Sequence, residues 1–257
     1  MKVLFAGPSL YGFDFSAAGT GSDAVENRGP AAQGDIARAV VEGATAIGLV
    51  DGRYEDVAAP WHKEILYAIE QGVQVFGAAS MGALRAAECG EFGMIGIGAV
   101  FERYRCGELT DDAAVAQVHG PAELGYLPLS EALVNVEATI ERFRRLKAVT
   151  EAEAERLDAS ARALFFKDRT YPRILSHARL DGGERGKRLA ELIKRCKADV
   201  KREDALILHG YLAFLEPTRQ SAPEDWRLQS TYTWQLTLDR ARKFAEANSG
   251  SSDSIAA

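Results

Sequence analysis

Three short apolar runs, each leading into a segment of helical spacing, constrain this chain more than any other feature. Lys2–Ala6 (KVLFA), Ala46–Val50 and Val73–Ala79 (VQVFGAA) have the length and character of buried strands. Gly7-Pro8-Ser9 breaks the first run and Asp51-Gly52 turns the chain after the second. Gly34–Gly43 (GDIARAVVEG) has helical spacing and a closing glycine. Pro60–Gln71 (PWHKEILYAIEQ) reads as a helix with Pro at its first position, Ile65 and Ile69 four apart, and Gly72 as its stop. Ser80 then opens a helix over Met81–Glu88. Strands alternating with helices of this length predict an α/β fold: a small, mostly parallel sheet flanked by helices.

Beyond Gly90 the pattern changes. Before it, between the first strand and the first helix, the Gly19–Pro30 stretch reads as a mobile loop. The glycine-rich run GMIGIG fits no phosphate loop, because neither GxGxxG nor GxxxxGK[ST] matches it. Ala113–His119 reads as an added strand. From Leu129 the chain turns helical, over Ser130–Lys147, Thr150–Lys167, Tyr171–Leu180, Glu184–Ala198 and Arg202–Phe214. Ser130 and Thr150 suit N-caps, and Thr150 with Glu153 spells a capping box. The expected organisation is an α/β catalytic core over 1–128, a helical C-terminal region over 129–216 and a polar tail over 217–257 whose SGSSDSIAA end is disordered.

Composition narrows the function classes. The 257 residues are 47 % hydrophobic, enough for a substantial core, yet no apolar run reaches the eighteen or so residues of a membrane span. The N-terminus MKVLFAGPSL has neither a basic lead nor a long apolar segment. Cys89, Cys106 and Cys196 are too few and too scattered for a disulfide framework or a tetrahedral zinc site. A cytoplasmic chain with reduced thiols is expected, and no metal or cofactor. The net charge of −6 is unevenly spread: residues 1–128 carry 8 basic and 17 acidic side chains, whereas 141–202 alone carry 18 basic and 10 acidic. That basic stretch suits either a solvated helical surface or a docking face for an acidic partner. No motif accompanies it that would argue for nucleic acid.

Ser80 is the sharpest chemical candidate. It stands where an apolar strand meets a helix, in GAASMG, as a nucleophile does on a strand-to-helix elbow. The usual G-x-S-x-G becomes Ala78-x-Ser80-x-Gly82, with Ala small enough to let the turn close. Amides of Met81 and Gly82 at the helix start suit an oxyanion. The same position suits a plain N-cap serine, and spacing leaves both readings open. For a base, Lys63 lies in the first turn of its helix, where the positive helix end and desolvation favour the neutral amine. Loops after the second and third strands open at one edge of a parallel sheet, where Lys63 and Ser80 could meet. His62, His119, His177 and His209 supply no better-placed partner. The alternative for Lys63 is a solvated surface lysine.

Several strings act together beyond these two residues. VLFAGPSL at 3–10, Arg28-Gly29-Pro30-Ala31 with Asp35, IGLVDGR at 47–53, WHKEIL at 61–66, VFGAASMGALRAAE at 75–88 and the 93–123 segment resemble the TfuA-like protein family. The resemblance runs over roughly 1–145 and rests on the combination of segments. It implies a partner of YcaO enzymes in peptide backbone thioamidation, releasing sulfide from a thiocarboxylated ThiS-like sulfur-carrier protein and helping YcaO engage its peptide substrate. A family Ser-Lys pair maps onto Ser80 and Lys63. The expected oxyanion and substrate-binding set is Met81, Gly82, Gly7, Ser9, Asp51, Gly52 and Arg28. Glycines 7, 12, 19, 21 and 29 would suit close approach of a thin carrier tail. Two other readings stand beside it: a non-catalytic adaptor that scaffolds YcaO, carrier and peptide, and a generic phosphate-binding α/β domain. A persulfide route through Cys89 or Cys106 is disfavoured, since Cys89 closes the helix that Ser80 opens, far from its start.

Overall fold

The computed structural model describes residues 1–15, 24–53, 55 and 57–252. Five parallel strands form one sheet: β1 (Lys2–Phe5), β2 (Val25–Asn27), β3 (Ala46–Leu49), β4 (Gln74–Ala78) and β5 (Ile95–Ile97), in spatial order β2-β1-β3-β4-β5. The α/β class follows from this sheet with its flanking helices and the helical C-terminal region.

Strand alternation sends successive side chains to opposite faces. On one face Val3, Phe5, Ile47, Leu49 and Val75 pack against Ile36 of α1 (Asp35–Val41) and Ile65 of α2 (His62–Glu70). On the other, Leu4, Phe76 and Ala78 meet Leu208 and Leu212 of α9 (Val200–Phe214). Gly48 makes that second contact close: a Cβ there would stand 2.6 Å from a Leu212 methyl. The layer covering this face therefore comes from beyond residue 128.

Between them, α3 (Met81–Cys89) follows β4 and α4 (Ala99–Arg105) follows β5. A second apolar cluster, including Val136, Ile140, Phe143, Leu157, Ile174 and Leu189, joins α5 (Leu133–Arg145), α6 (Glu151–Ala163), α7 (Tyr171–His177) and α8 (Gly183–Cys196). Thr150 caps α6 as its capping box predicts: its Oγ1 accepts from Glu153 N at 3.3 Å, and Glu153 Oε2 accepts from Thr150 N at 2.8 Å.

Other expectations are corrected. Val25–Asn27, inside the stretch read as loop, pairs with β1; three residues with one acidic side chain carry too little pattern to read as a strand. Gly19 and Gly21 lie outside the described residues. Ile95–Ile97 in the glycine-rich run is strand β5, and Ala113–His119 forms no strand but a 3₁₀ turn at Asp112–Ala114. Pro60 precedes α2, whose N-cap is Trp61. Ser130 is not a cap; α5 starts after Ala132, and Ser130 Oγ accepts from Val118 N at 2.9 Å. The polar tail contains α10 (Tyr232–Ser252), which docks on α1 through Trp234 and Ala241 against Ala37. Residues 253–257 of the expected disordered end lie outside the described residues. No helix among the described residues is long and apolar enough to cross a membrane.

Candidate active site

β4 ends in a turn that the sequence can close only with small residues. Ser80 N donates to Ala78 O at 2.7 Å across Ala79, whose φ is +66°. That two-residue closure with a positive central φ is a γ-turn of the strained hand. It is followed at once by α3, with Ser80 at the N-cap position. Ser80 makes no side-chain cap bond, so the N-cap reading does not describe its hydroxyl. The hydroxyl has no hydrogen-bond partner among the described residues.

The residue is largely buried yet borders a cleft of about 770 Å³ at the C-terminal edge of the sheet. Asp51, Gly52 and Arg28, all expected near the site, line the same cleft, and so does Asp35, which had no expected role. Ser80 also borders a second cavity of about 350 Å³ that includes Met81, Arg85 and Asp111, and Val115 borders both.

Most of the expected oxyanion donors are already engaged. Gly82 N donates to Val50 O at 3.1 Å, which locks α3 onto the end of β3. Asp51, buried, accepts from Gly7 N at 2.9 Å, from Ser9 N at 3.0 Å and from Ser9 Oγ at 2.7 Å. Asp51 thereby fixes the turn after β1, and Gly7 and Ser9 offer no free amide. Of the four amides, Met81 N–H alone is left without a hydrogen-bond partner among the described residues.

The narrow slot expected from glycines 7 and 29 is filled by protein. A Cβ at Gly29 would meet the Tyr126 hydroxyl at 2.3 Å, and one at Gly7 would meet Pro30 at 2.5 Å. Among the described residues nothing stands within 4 Å of a Cβ at Gly12. The Arg28 guanidinium is held by Glu26, at 2.9 Å, and by Glu42.

Lys63 is not brought into the cleft. Its Nζ donates to Gln229 O at 2.8 Å and to Thr231 Oγ1 at 3.4 Å, in the segment that leads into α10. The expectation overlooked this partner because nothing in the tail marked it as structured. Its neighbour His62 faces the other way, with Nε2 2.8 Å from Glu88 Oε2. Glu64, buried in the same turn, accepts from Trp61 N at 3.1 Å and Gly34 N at 2.9 Å, so it ties the starts of α1 and α2. Burial pushes its carboxyl up, against the opposing pull of those amides.

A buried amine that does line the cleft is Lys201, on α9. It is 1 % exposed, and its Nζ donates to Val115 O at 2.9 Å and Gln117 Oε1 at 3.2 Å. Desolvation pulls its ammonium below the ordinary lysine range, while Asp51 opposes that shift. The signal for it in the sequence was slight: one lysine in the basic stretch, two residues after a helix-capping Asp199. Lys167 also lines the cleft, paired with Glu55 at 2.9 Å. Cys89 is buried and its thiol is pushed up to about 11, chiefly by desolvation, which suits an inert thiol. Among the described residues no three His, Cys, Asp or Glu side chains converge on a metal-sized site.

The parallel α/β sheet thus carries, at a strained strand-to-helix turn, a serine hydroxyl without a hydrogen-bond partner among the described residues, beside a polar cleft at the strands' C-terminal edge. The TfuA-like protein family model matches residues 51–170, a segment that carries Asp51, Lys63, Ser80 and Gln117. No curated protein matches the chain.

Proposed function

We propose that this protein hydrolyses a protein thiocarboxylate, releasing sulfide from a ThiS-like sulfur carrier for a YcaO enzyme that forms thioamides on a peptide backbone. The observation that carries the reading is Ser80: a hydroxyl without a hydrogen-bond partner among the described residues, set on the γ-turn at the edge of the large cleft. In this reading Ser80 Oγ attacks the thiocarboxylate carbon. Met81 N–H faces the developing oxyanion, sulfur departs as hydrosulfide, and water resolves the acyl-serine. A base must take the Ser80 proton. Lys63, the base that the family resemblance implies, serves only when the 229–231 segment releases its ammonium.

Purified protein is mixed with a thiocarboxylated carrier and sulfide is measured. Ser80→Ala is expected to lower release by about 10²-fold or more with the melting temperature unchanged. Release by Ser80→Ala at the wild-type rate would sink the hydrolase. The second reading, a non-catalytic adaptor between YcaO and carrier, is favoured by one observation: Lys63 is tied to the tail rather than to the cleft. Sulfide released by this protein alone, without YcaO, excludes it.

A further inference from the structure

α9 is apolar on two sides. Ala205, Leu208 and Leu212 pack into the sheet's core, as the buried stripe of a surface helix does. Yet Leu206, Ile207, Tyr211 and Phe214 recur at helical spacing on the outward side. Phe214 is 93 % exposed, Ile207 57 % and Tyr211 48 %. A helix apolar all round belongs in an interior, so this outward side is built to be covered. The patch continues past the helix. The Tyr211 and Phe76 ring centroids lie 5.1 Å apart, and Phe76 pairs in register with Ile95 of the edge strand β5, itself an exposed side chain. Register partners share a sheet face, so Ile95 extends the patch beside Tyr211.

Gly210 stands in the middle of this outward side, three residues from Ile207 and four from Phe214. Among the described residues nothing lies within 4 Å of a Cβ placed there. Glycine weakens an exposed helix interior relative to alanine, so its place here needs a reason. It leaves a notch between Ile207 and Phe214 through which a second helix can approach closely. Glu203, the charged side chain of the outward positions, lies two turns away at the rim, 3.8 Å from Arg142.

We propose that this side binds a second copy of the chain, with α9 crossing α9 antiparallel about a two-fold axis at Gly210. The notch and its flanks are self-complementary about such an axis: Phe214 of each copy covers Ile207 of the other. The five exposed side chains together present about 500 Å², the scale of the largest patch on an ordinary monomer. Two copies then bury about 1,000 Å², the size at which a specific interface begins. An apolar centre with charge only at its rim fits a lasting homodimer better than an exchanging partner, whose interface is more polar. The pairing also leaves both clefts open. Lys201, in the cleft, lies about 14 Å before Gly210 along the helix, so the two clefts sit at opposite ends of the paired helices.

Sedimentation equilibrium at micromolar concentrations tests the proposal. Wild-type protein is expected at twice the chain mass, and the double variant Ile207→Asp, Phe214→Asp at the chain mass with an unchanged circular dichroism spectrum. Gly210→Leu approaches the same contact from the other direction. Its side chain enters open space in a monomer, so the fold should hold, while the dimer dissociation constant rises tenfold or more. Should the double variant unfold, Gly210→Leu alone decides. A wild type that stays monomeric overturns the proposal, including one that binds a YcaO enzyme through the same stripe. A dimer that survives in the folded double variant, or that is as tight in Gly210→Leu as in the wild type, overturns it as well.

Discussion

At Gly82 an added methyl would stand 1.7 Å from the Leu49 carbonyl oxygen, and at Gly77 2.1 Å from that of Gly82. Those contacts are backbone to backbone, so no side chain can yield to relieve them. Gly82→Ala is therefore expected to destabilise by about 3 kcal/mol, measured by urea unfolding, because the start of α3 must move off β3. A loss below 0.5 kcal/mol would show that the turn adapts. The sequence displayed this constraint only as a degraded elbow motif, yet it located Ser80 correctly at the strand-to-helix junction. What it could not display was hydrogen-bond use. Gly7, Ser9 and Gly82 look like free donors in one dimension, but Asp51 and Val50 consume their amides in three. Lys63 and Lys201 were distinguishable only once the tail that holds the one and the helix that buries the other were in place.

Among the elements, α6 illustrates a local signal that sufficed. Thr150 and Glu153 predicted its start, and the reciprocal bonds are present. Arg185 of α8 adds a pair to Glu153, at 2.8 Å from Nε to Oε1, and pulls its carboxyl down to about 2. A folded-state value below the unfolded one stabilises above the unfolded value, and the contribution fades as pH falls toward the folded one. The helical cluster should thus lose stability between about pH 4.5 and pH 2. Glu153→Gln should flatten that dependence in melting experiments, and Thr150→Ala should cost about 1 kcal/mol at neutral pH. An acid limb of the same slope in Glu153→Gln would refute the assignment. Elements of weak pattern were missed instead: β2 and β5 have three residues each, and their pairing depends on β1 and β4 rather than on their own composition.

Over the whole molecule, the acidic first half and the more basic second half are not separate pieces. α9 covers one face of the sheet and supplies Lys201 to the cleft, and α10 covers α1. A chain ending at residue 199 would leave Leu4 and Phe76 without Leu208 and Leu212, and it is expected to lose the cooperative unfolding of the full chain. Leu212→Ala alone should cost about 2–5 kcal/mol. The central claim concerns the cleft that these halves build together. Its most direct test is sulfide release from a thiocarboxylated ThiS-like carrier by purified protein without YcaO. The account predicts release by the wild type and its loss in folded Ser80→Ala; no release by the wild type, or equal release by both, would contradict it.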